Sequence, residues 1–167
     1  GVTVMAGCQR AGVGRTSFYN YFADVPDLLR TVIDETGQAV QAQFEALHGE
    51  RRRGIERLER CLQMVLQLAT NDPEFGLVLT ALATSYPETA DLLREQIHLE
   101  LSAAGEAGVL PSLQGECAAQ ANFLTTTTLA VARDLAAGRL DAELSEVYAG
   151  YLMHAIGAIE TTIYTGT

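Results

Sequence analysis

The sequence predicts an all-α protein. Apolar residues recur at helical spacing almost throughout the chain, and no two alternating apolar–polar runs are joined by a hairpin turn. The 167 residues are 48% hydrophobic and 19% charged, which is typical of a globular protein that can bury a sizeable core. No apolar run approaches the ~20 residues that a membrane-spanning helix needs, and the opening residues lack a signal-peptide pattern. We therefore expect a cytoplasmic protein with no membrane partner.

The beginning of the chain is predicted to hold two short helices and a long one. Thr3 suits an N-cap, and Gly12 suits the left-handed residue that ends a helix. Asp24 suits the N-cap of the long helix, because Pro26 then falls in its first turn, where a missing N–H does no harm. The predicted helices span residues 4–11, 15–22 and about 24–47.

Five more helices are predicted for the rest of the chain. Asn71-Asp72-Pro73 ends one helix and caps the next, and Pro87 starts another. The run Thr125–Thr128 lowers helix propensity but keeps the helical spacing of its apolar neighbours. The predicted helices span about 55–70, 74–85, 87–104, 116–137 and 141–164. We expect a head with its long helix over residues 1–47 and a larger helical domain over residues 48–167.

Charge is unevenly distributed along the chain. The net charge of −10 disfavours nucleic acid as a partner, because phosphate binding needs basic groups. Residues 1–30, however, hold three arginines against two aspartates, whereas residues 31–167 hold eight arginines against 19 acidic residues. This weak bias fits a small DNA-contacting head on an acidic body.

The three cysteines do not predict a disulfide framework or a zinc site. Cys8, Cys61 and Cys117 are odd in number and far apart, so we interpret them as reduced thiols in helices. A redox sensor needs a thiol pKa lowered by cationic neighbours. Only Cys61 has such neighbours in sequence, Arg57 and Arg60, and it is the one candidate for that role.

Residues 3–22 predict a helix, a tight turn and a second helix. Gly12 permits the turn, and Val13, Phe18 and Phe22 suit the interior. The second helix then presents a polar face of the kind that enters the major groove of DNA. Arg15 suits bidentate bonding to guanine and Asn20 to adenine, whereas Thr3 suits a phosphate. The predicted DNA-contacting residues are Thr3, Arg15, Thr16, Ser17, Tyr19, Asn20 and Tyr21. A plain helical hairpin is the alternative, because such residues are ordinary on any solvated face.

This stretch resembles the TetR family of bacterial transcriptional regulators. That family has a threonine, then Ala-Gly-Val, several polar residues, a Tyr-x-x-Phe, and a long helix with a leucine one turn inside it. The chain supplies these in the same register over about its first 30 residues, as Thr3, Ala11-Gly12-Val13, Tyr19, Phe22 and Leu28. The remaining helices match the family only in number and length.

Some positions depart from the family pattern. Gly7 stands where the family has a large aliphatic residue and Cys8 where it has alanine, and Gly7 is expected to weaken its helix by up to ~1 kcal/mol. Val25 stands where a lysine commonly faces a phosphate, which is expected to weaken binding to all DNA sequences alike. The family's first helix precedes Thr3, so we expect residues upstream of Gly1.

The resemblance implies a ligand-responsive regulator, most often a repressor, that binds operator DNA as a homodimer. In the family the last two long helices form a four-helix bundle with the partner's pair, which here points to residues 116–137 and 141–164. The alternative is that these helices serve only the chain's own core, and we expect part core and part interface. The candidate interface residues are Leu124, Thr128, Val131, Leu135, Tyr148, Tyr151, Leu152, Ala155 and Ile159.

The resemblance also implies a pocket for an unidentified small-molecule effector among the helices at 55–70, 74–85, 87–104 and 116–137. Such pockets are mostly apolar with a few polar groups. The candidates are Phe75, Tyr86, His98, Asn122 and Thr126, each of which also suits an ordinary helix position.

Two other classes of protein are weaker hypotheses. Glu95 and His98 have the Glu-x-x-His spacing of di-iron bundles, but those need a second such pair, and the chain has only three histidines. No Ser-His-Asp elbow or phosphate-binding glycine loop appears either, so no enzyme, metal or cofactor is expected. The second alternative is an all-helical small-molecule-binding or scaffold protein without DNA binding, which Gly7 and Val25 keep open.

Overall fold

The computed structural model describes residues 8–157 apart from residues 10, 13, 49–52 and 110–115. These residues form helices and connecting turns and no strand, which confirms the predicted all-α class. Thr3, Gly7, Val13 and Ile159 fall outside the described residues. The described helices are α1 (Arg15–Tyr21), α2 (Val25–His48), α3 (Ile55–Asn71), α4 (Pro73–Ser85), α5 (Pro87–Glu106), α6 (Cys117–Ala136), a 3-10 turn (Ala142–Leu144) and α7 (Ser145–Ala155).

The chain forms two compact units, one up to Val40 and one from Gln41. The division falls inside α2, not at the end of that helix. In the described part of the chain, no helix combines the length and the apolar character that crossing a membrane requires.

The first unit contains α1 and the beginning of α2. Ahead of α1, Cys8 and Ala11 are helical, and Gly12 has φ 66, which is the left-handed turn that the sequence predicts. Helix α1 is short because Gly14 before it and Phe22 after it are both extended.

A reciprocal pair of caps fixes the start of α2. The Asp24 carboxylate accepts a hydrogen bond from the Asp27 N–H at 2.8 Å, and the Asp27 carboxylate accepts one from the Ala23 N–H at 2.9 Å. Each carboxylate thus satisfies a backbone donor that the helix leaves free. The prediction that Asp24 caps this helix, with Pro26 in its first turn, is confirmed.

The core of the second unit lies around α3 and α6, which each pack against α4, α5 and α7 and against each other. Helix α3 contributes Leu58, Leu62 and Leu66, none of which has any exposed surface. Leu101 of α5 and Leu124 of α6 are equally enclosed. Each such leucine stabilises the fold by roughly 1.5–3 kcal/mol relative to an exposed position.

Gly76 is where α4 comes closest to its neighbours. A Cβ at this position would lie 2.8 Å from the Cα of Ala69 in α3 and 3.0 Å from the Cβ of Ala136 in α6. Real Cβ atoms essentially never approach other atoms so closely. The absence of a side chain at Gly76 therefore permits the close packing of α4 on α3 and α6.

The ends of the helices predicted between residues 15 and 137 agree with the structure to within two residues, whereas the end of the last helix does not. The Asp72 carboxylate accepts a hydrogen bond from the Phe75 N–H at 3.0 Å and caps α4, as predicted. The last helix was expected over residues 141–164, but it begins as a 3-10 turn at Ala142 and α7 ends at Ala155. Gly157 has φ 72, so a left-handed turn follows the end of α7.

Candidate nucleic-acid interface and ligand cavity

Helix α1 has one apolar side and one polar side. Phe18 is only 9% exposed and packs against Phe22 with 5.5 Å between ring centroids. Thr16, Ser17 and Asn20 are all exposed. Because residues three and four apart share a helix face, these three side chains form one continuous polar surface.

Two tyrosines flank this polar surface. Tyr21 is 80% exposed and Tyr19 is 48% exposed, with the Tyr19 ring edge-on to Phe18 at 5.3 Å between centroids. The structure thus exposes five of the seven residues predicted to contact DNA. Thr3 and the side chain of Arg15 lie outside what the structure describes.

Residues 1–23, which include α1, contain no acidic residue. Asp24 is the first acidic residue of the chain, although the whole chain carries 21 of them. Arg10 and Arg15 precede it, so residues 1–23 have a net charge of +2. No carboxylate within this segment would repel the phosphates of DNA.

A cavity of about 270 Å³ lies between α4, α5 and α6. Its wall is made of small apolar residues, threonines and two arginines. The lining residues are Thr80, Ala83, Thr84, Ala90, Arg94, Thr125, Thr126, Leu129, Ala130 and Arg133. A mostly apolar wall with a few polar groups is typical of small-molecule sites.

Three threonine hydroxyls in this wall are bound to their own helices. Thr80 donates to the Gly76 carbonyl, Thr84 to the Thr80 carbonyl and Thr125 to the Ala121 carbonyl, at 2.8, 2.8 and 2.7 Å. A hydroxyl has a single hydrogen, so these three can offer a ligand only an acceptor oxygen.

The two arginines of the cavity are both partly exposed. Arg94 is paired with Asp91 one turn earlier on α5. The Nε of Arg133 donates to Asp134 at 3.2 Å, and the same carboxylate oxygen also accepts from the Nε of Arg139 at 3.1 Å. Hydrogen bonds from Arg139 and then from Arg133 lower the pKa of Asp134.

Of the residues proposed from the sequence for the pocket, Thr126 lines this cavity and the other four do not. Phe75 and Tyr86 are half-buried, whereas His98 and Asn122 are exposed. Sequence reasoning missed both arginines of the cavity. The available signal was a stripe on α6, in which Thr126, Leu129, Ala130 and Arg133 follow the spacing of one helix face.

The candidate interface residues divide between core and surface. Four of them are buried within the single chain and belong to its own core: Leu124, Thr128, Leu135 and Leu152. Val131 and Tyr148 are half-buried. Tyr151 is 67% exposed and Ala155 is also exposed, so these two are accessible to a partner subunit.

Cys61 does not have the environment of a redox-sensing thiol. Burial raises its pKa far above the usual range, and the nearby Glu100 carboxylate raises it further, against a smaller opposing effect of Arg57. The side chain is 4% exposed. The sequence placed arginines near Cys61 but did not reveal that Glu100, from another helix, lies beside them, so the redox hypothesis is wrong.

Among the described residues no group of three or more His, Cys, Asp or Glu side chains is placed to hold a metal ion. Glu95 and His98 are both exposed on α5.

No protein-family model matches the chain, and no curated protein matches it either.

Proposed function

We propose that the protein is a TetR-like, ligand-responsive transcriptional regulator that binds operator DNA as a homodimer and acts as a repressor. The two-sided character of α1 is the observation that supports this best. Phe18 is buried while Thr16, Ser17 and Asn20 are exposed together, just after the left-handed turn at Gly12. Side chains of this kind form the hydrogen bonds that base edges in the major groove require.

In this proposal the exposed face of α1 enters the major groove. The Asn20 amide has one donor and one acceptor group, which match N6 and N7 of adenine. The hydroxyls of Thr16 and Ser17 suit phosphates or base edges near the beginning of the helix. The absence of acidic residues before Asp24 lets this segment approach the DNA backbone in spite of the chain's net charge.

The cavity between α4, α5 and α6 is the proposed effector site. Two heads of a dimer must lie roughly 34–36 Å apart to reach successive major grooves. An effector releases DNA only if it binds more tightly to a dimer whose heads have a different spacing than to the DNA-bound dimer.

The direct test is binding to the DNA upstream of the protein's own gene, measured over a series of salt concentrations. We expect affinity to fall steeply with salt, because phosphate contacts release counterions. Asn20→Ala is expected to lower affinity by about 5- to 150-fold, the range for one base-contacting side chain. Gln38→Ala, an exposed amide on α2, is the matched control and should bind as the unmodified protein does.

Two results would contradict the proposal. The first is that the protein does not bind the upstream DNA even at low salt. The second is that the Asn20→Ala variant binds DNA as tightly as the Gln38→Ala variant. Ligand binding without any DNA binding would instead support an all-helical small-molecule-binding protein. The cavity is the observation that favours this second function.

A further inference from the structure

The distribution of charge around the cavity between α4, α5 and α6 differs from that of the whole protein. The chain has 21 acidic residues against 11 arginines, yet two arginines and no acidic residue line the cavity. Asp91 and Asp134 pair with these arginines from outside the lining. Arg139 shares Asp134 with Arg133, so these three arginines and two aspartates keep a net charge of +1, which disfavours a positively charged ligand.

Besides the Thr126 hydroxyl, the hydrogen-bond donors of the wall are the two guanidinium groups. The hydroxyl hydrogens of Thr80, Thr84 and Thr125 are already used within their helices. An arginine has five N–H donors, so pairing with one carboxylate leaves several for a ligand. The Nε of Arg94 is buried and, within the part of the chain that the structure describes, it has no hydrogen-bond acceptor.

The remainder of the wall is apolar and the space is small. Ala83, Leu129 and Ala130 offer methyl surfaces, and Ala90 closes the wall from α5. A volume of about 270 Å³ is below the ~300–1,000 Å³ of sites that hold drug-sized ligands. This space suits a single ring or a short chain.

We propose that this cavity takes a small amphiphilic carboxylate. Its carboxylate group pairs with Arg94 and Arg133, and its apolar part lies along Ala83, Leu129 and Ala130. The proposal depends on the proposed function only in calling this ligand the effector, because binding itself needs no DNA.

The first test compares matched acids and amides as probes on the full chain by isothermal titration calorimetry at pH 7.5. Benzoate and hexanoate are expected to bind at least about tenfold more tightly than benzamide and hexanamide, because hydrogen bonds between charged groups are stronger than neutral ones. Benzylamine, a cation of similar size, is expected not to bind. Inorganic phosphate, which lacks an apolar part, is expected to bind more weakly than benzoate.

The second test uses variants of the arginines. Arg94→Gln and Arg133→Gln are each expected to weaken benzoate binding at least about tenfold and to leave benzamide binding unchanged. Arg60→Gln is the control, since Arg60 is an exposed arginine of α3 that does not line the cavity. Ala130→Leu fills the cavity and is expected to weaken both probes alike. Thermal unfolding of each variant shows whether it is folded.

Three results would overturn the proposal: acid and amide bind equally, no probe binds at millimolar concentration, or Arg60→Gln has the same effect as Arg94→Gln. Failure here is distinguishable from failure of the proposed function. If the protein binds benzoate through Arg94 but does not bind DNA, the proposed ligand class is supported and the proposed regulator function is refuted. If it binds DNA but does not distinguish acids from amides, the regulator function is supported and the ligand class is refuted.

Discussion

Glu100 is a carboxylate with almost no contact with solvent, since it is only 1% exposed. It accepts a hydrogen bond from the Gly54 N–H at 2.8 Å and pairs with the Arg57 guanidinium at 3.0 Å. Arg53 approaches the same carboxylate at 3.5 Å. The group lies at the N-terminus of α3, where the helix dipole also favours a negative charge. Glu100 therefore joins the middle of α5 to the beginning of α3.

Removal of this charge is expected to destabilise the protein strongly. Glu100→Gln would remove a negative charge that pairs with the buried Arg57 guanidinium, and breaking such a pair costs about 3–5 kcal/mol. Chemical denaturation at pH 7 measures the change. Glu95→Gln, an exposed carboxylate on the same helix, is the control and should stay within about 0.5 kcal/mol. A double variant, Glu100→Gln with Arg57→Met, should recover part of the loss, and an equal loss in both variants would refute the pairing.

A second prediction at the residue scale concerns Asp27 and the dependence of stability on pH. The hydrogen bond from the Ala23 N–H, followed by Arg30, lowers the pKa of this carboxyl below its ordinary value near 3.8. A carboxyl with a lowered pKa in the folded state stabilises the protein above its ordinary pKa. That contribution is lost as pH falls through the lower folded value.

Asp27→Asn tests this sign, because asparagine can still accept the hydrogen bond but carries no charge. We expect the variant to be less stable than the unmodified protein at pH 6, and the difference to shrink as pH drops below about 4. Urea denaturation across pH measures both. Asp34→Asn, an exposed carboxylate on the same helix, is the control. A difference that grows toward low pH would contradict the assignment.

At the scale of the elements, the contact of α4 with α3 and α6 depends on Gly76. Gly76→Ala raises helix propensity by about 1 kcal/mol, but its methyl would meet the Ala69 backbone at 2.8 Å. Crowding a well-packed core costs typically ~1–3 kcal/mol, so we expect net destabilisation. Gly105→Ala in α5 is the control, because no atom lies within 4 Å of its added Cβ. Thermal denaturation should show a lower Tm for the first variant and an unchanged or higher one for the second.

Local chemistry made most helix ends predictable. Asp24 and Asp72 were recognised as caps because a capping carboxylate acts within three residues of its own position. The end of α7 was not predicted, because Gly157 suits both a helix contact and a left-handed turn. The environment of Cys61 was also hidden, since Glu100 reaches it from a different helix.

The candidate site was likewise predictable only where its residues lie close together in the sequence. The two sides of α1 were predictable because Phe18 and its polar neighbours lie within one short helix. The cavity arises only when α4, α5 and α6 pack together, and no spacing within one segment shows that Arg94 and Arg133 share a wall. Thr126 lies in a run of four threonines, a polar feature that the sequence alone shows.

At the scale of the whole molecule, the proposed homodimer has a clear test. Leu124, Thr128 and Leu135 are buried in the chain itself, whereas Tyr151 of α7 is exposed and accessible to a partner. We expect twice the chain mass at micromolar concentration in light scattering. Tyr151→Glu would shift the mass toward the monomer, because a charge in a buried interface is costly.

Val109→Glu is the control for the dimer. Val109 is an exposed apolar residue beyond α5, 57% exposed against 67% for Tyr151, and its replacement should leave the mass unchanged. A monomeric mass for the unmodified protein would count against the proposed interface.

Asp134 has a consequence for how an anion enters the cavity. Its carboxylate is shared by Arg133 and Arg139, so these three side chains together have a charge of +1. A monovalent acid that bonds to Arg133 would bring the group to electroneutrality while Arg139 keeps Asp134 compensated. Binding would then leave no charged group without a partner, because Arg139 already pairs with Asp134 before the acid binds.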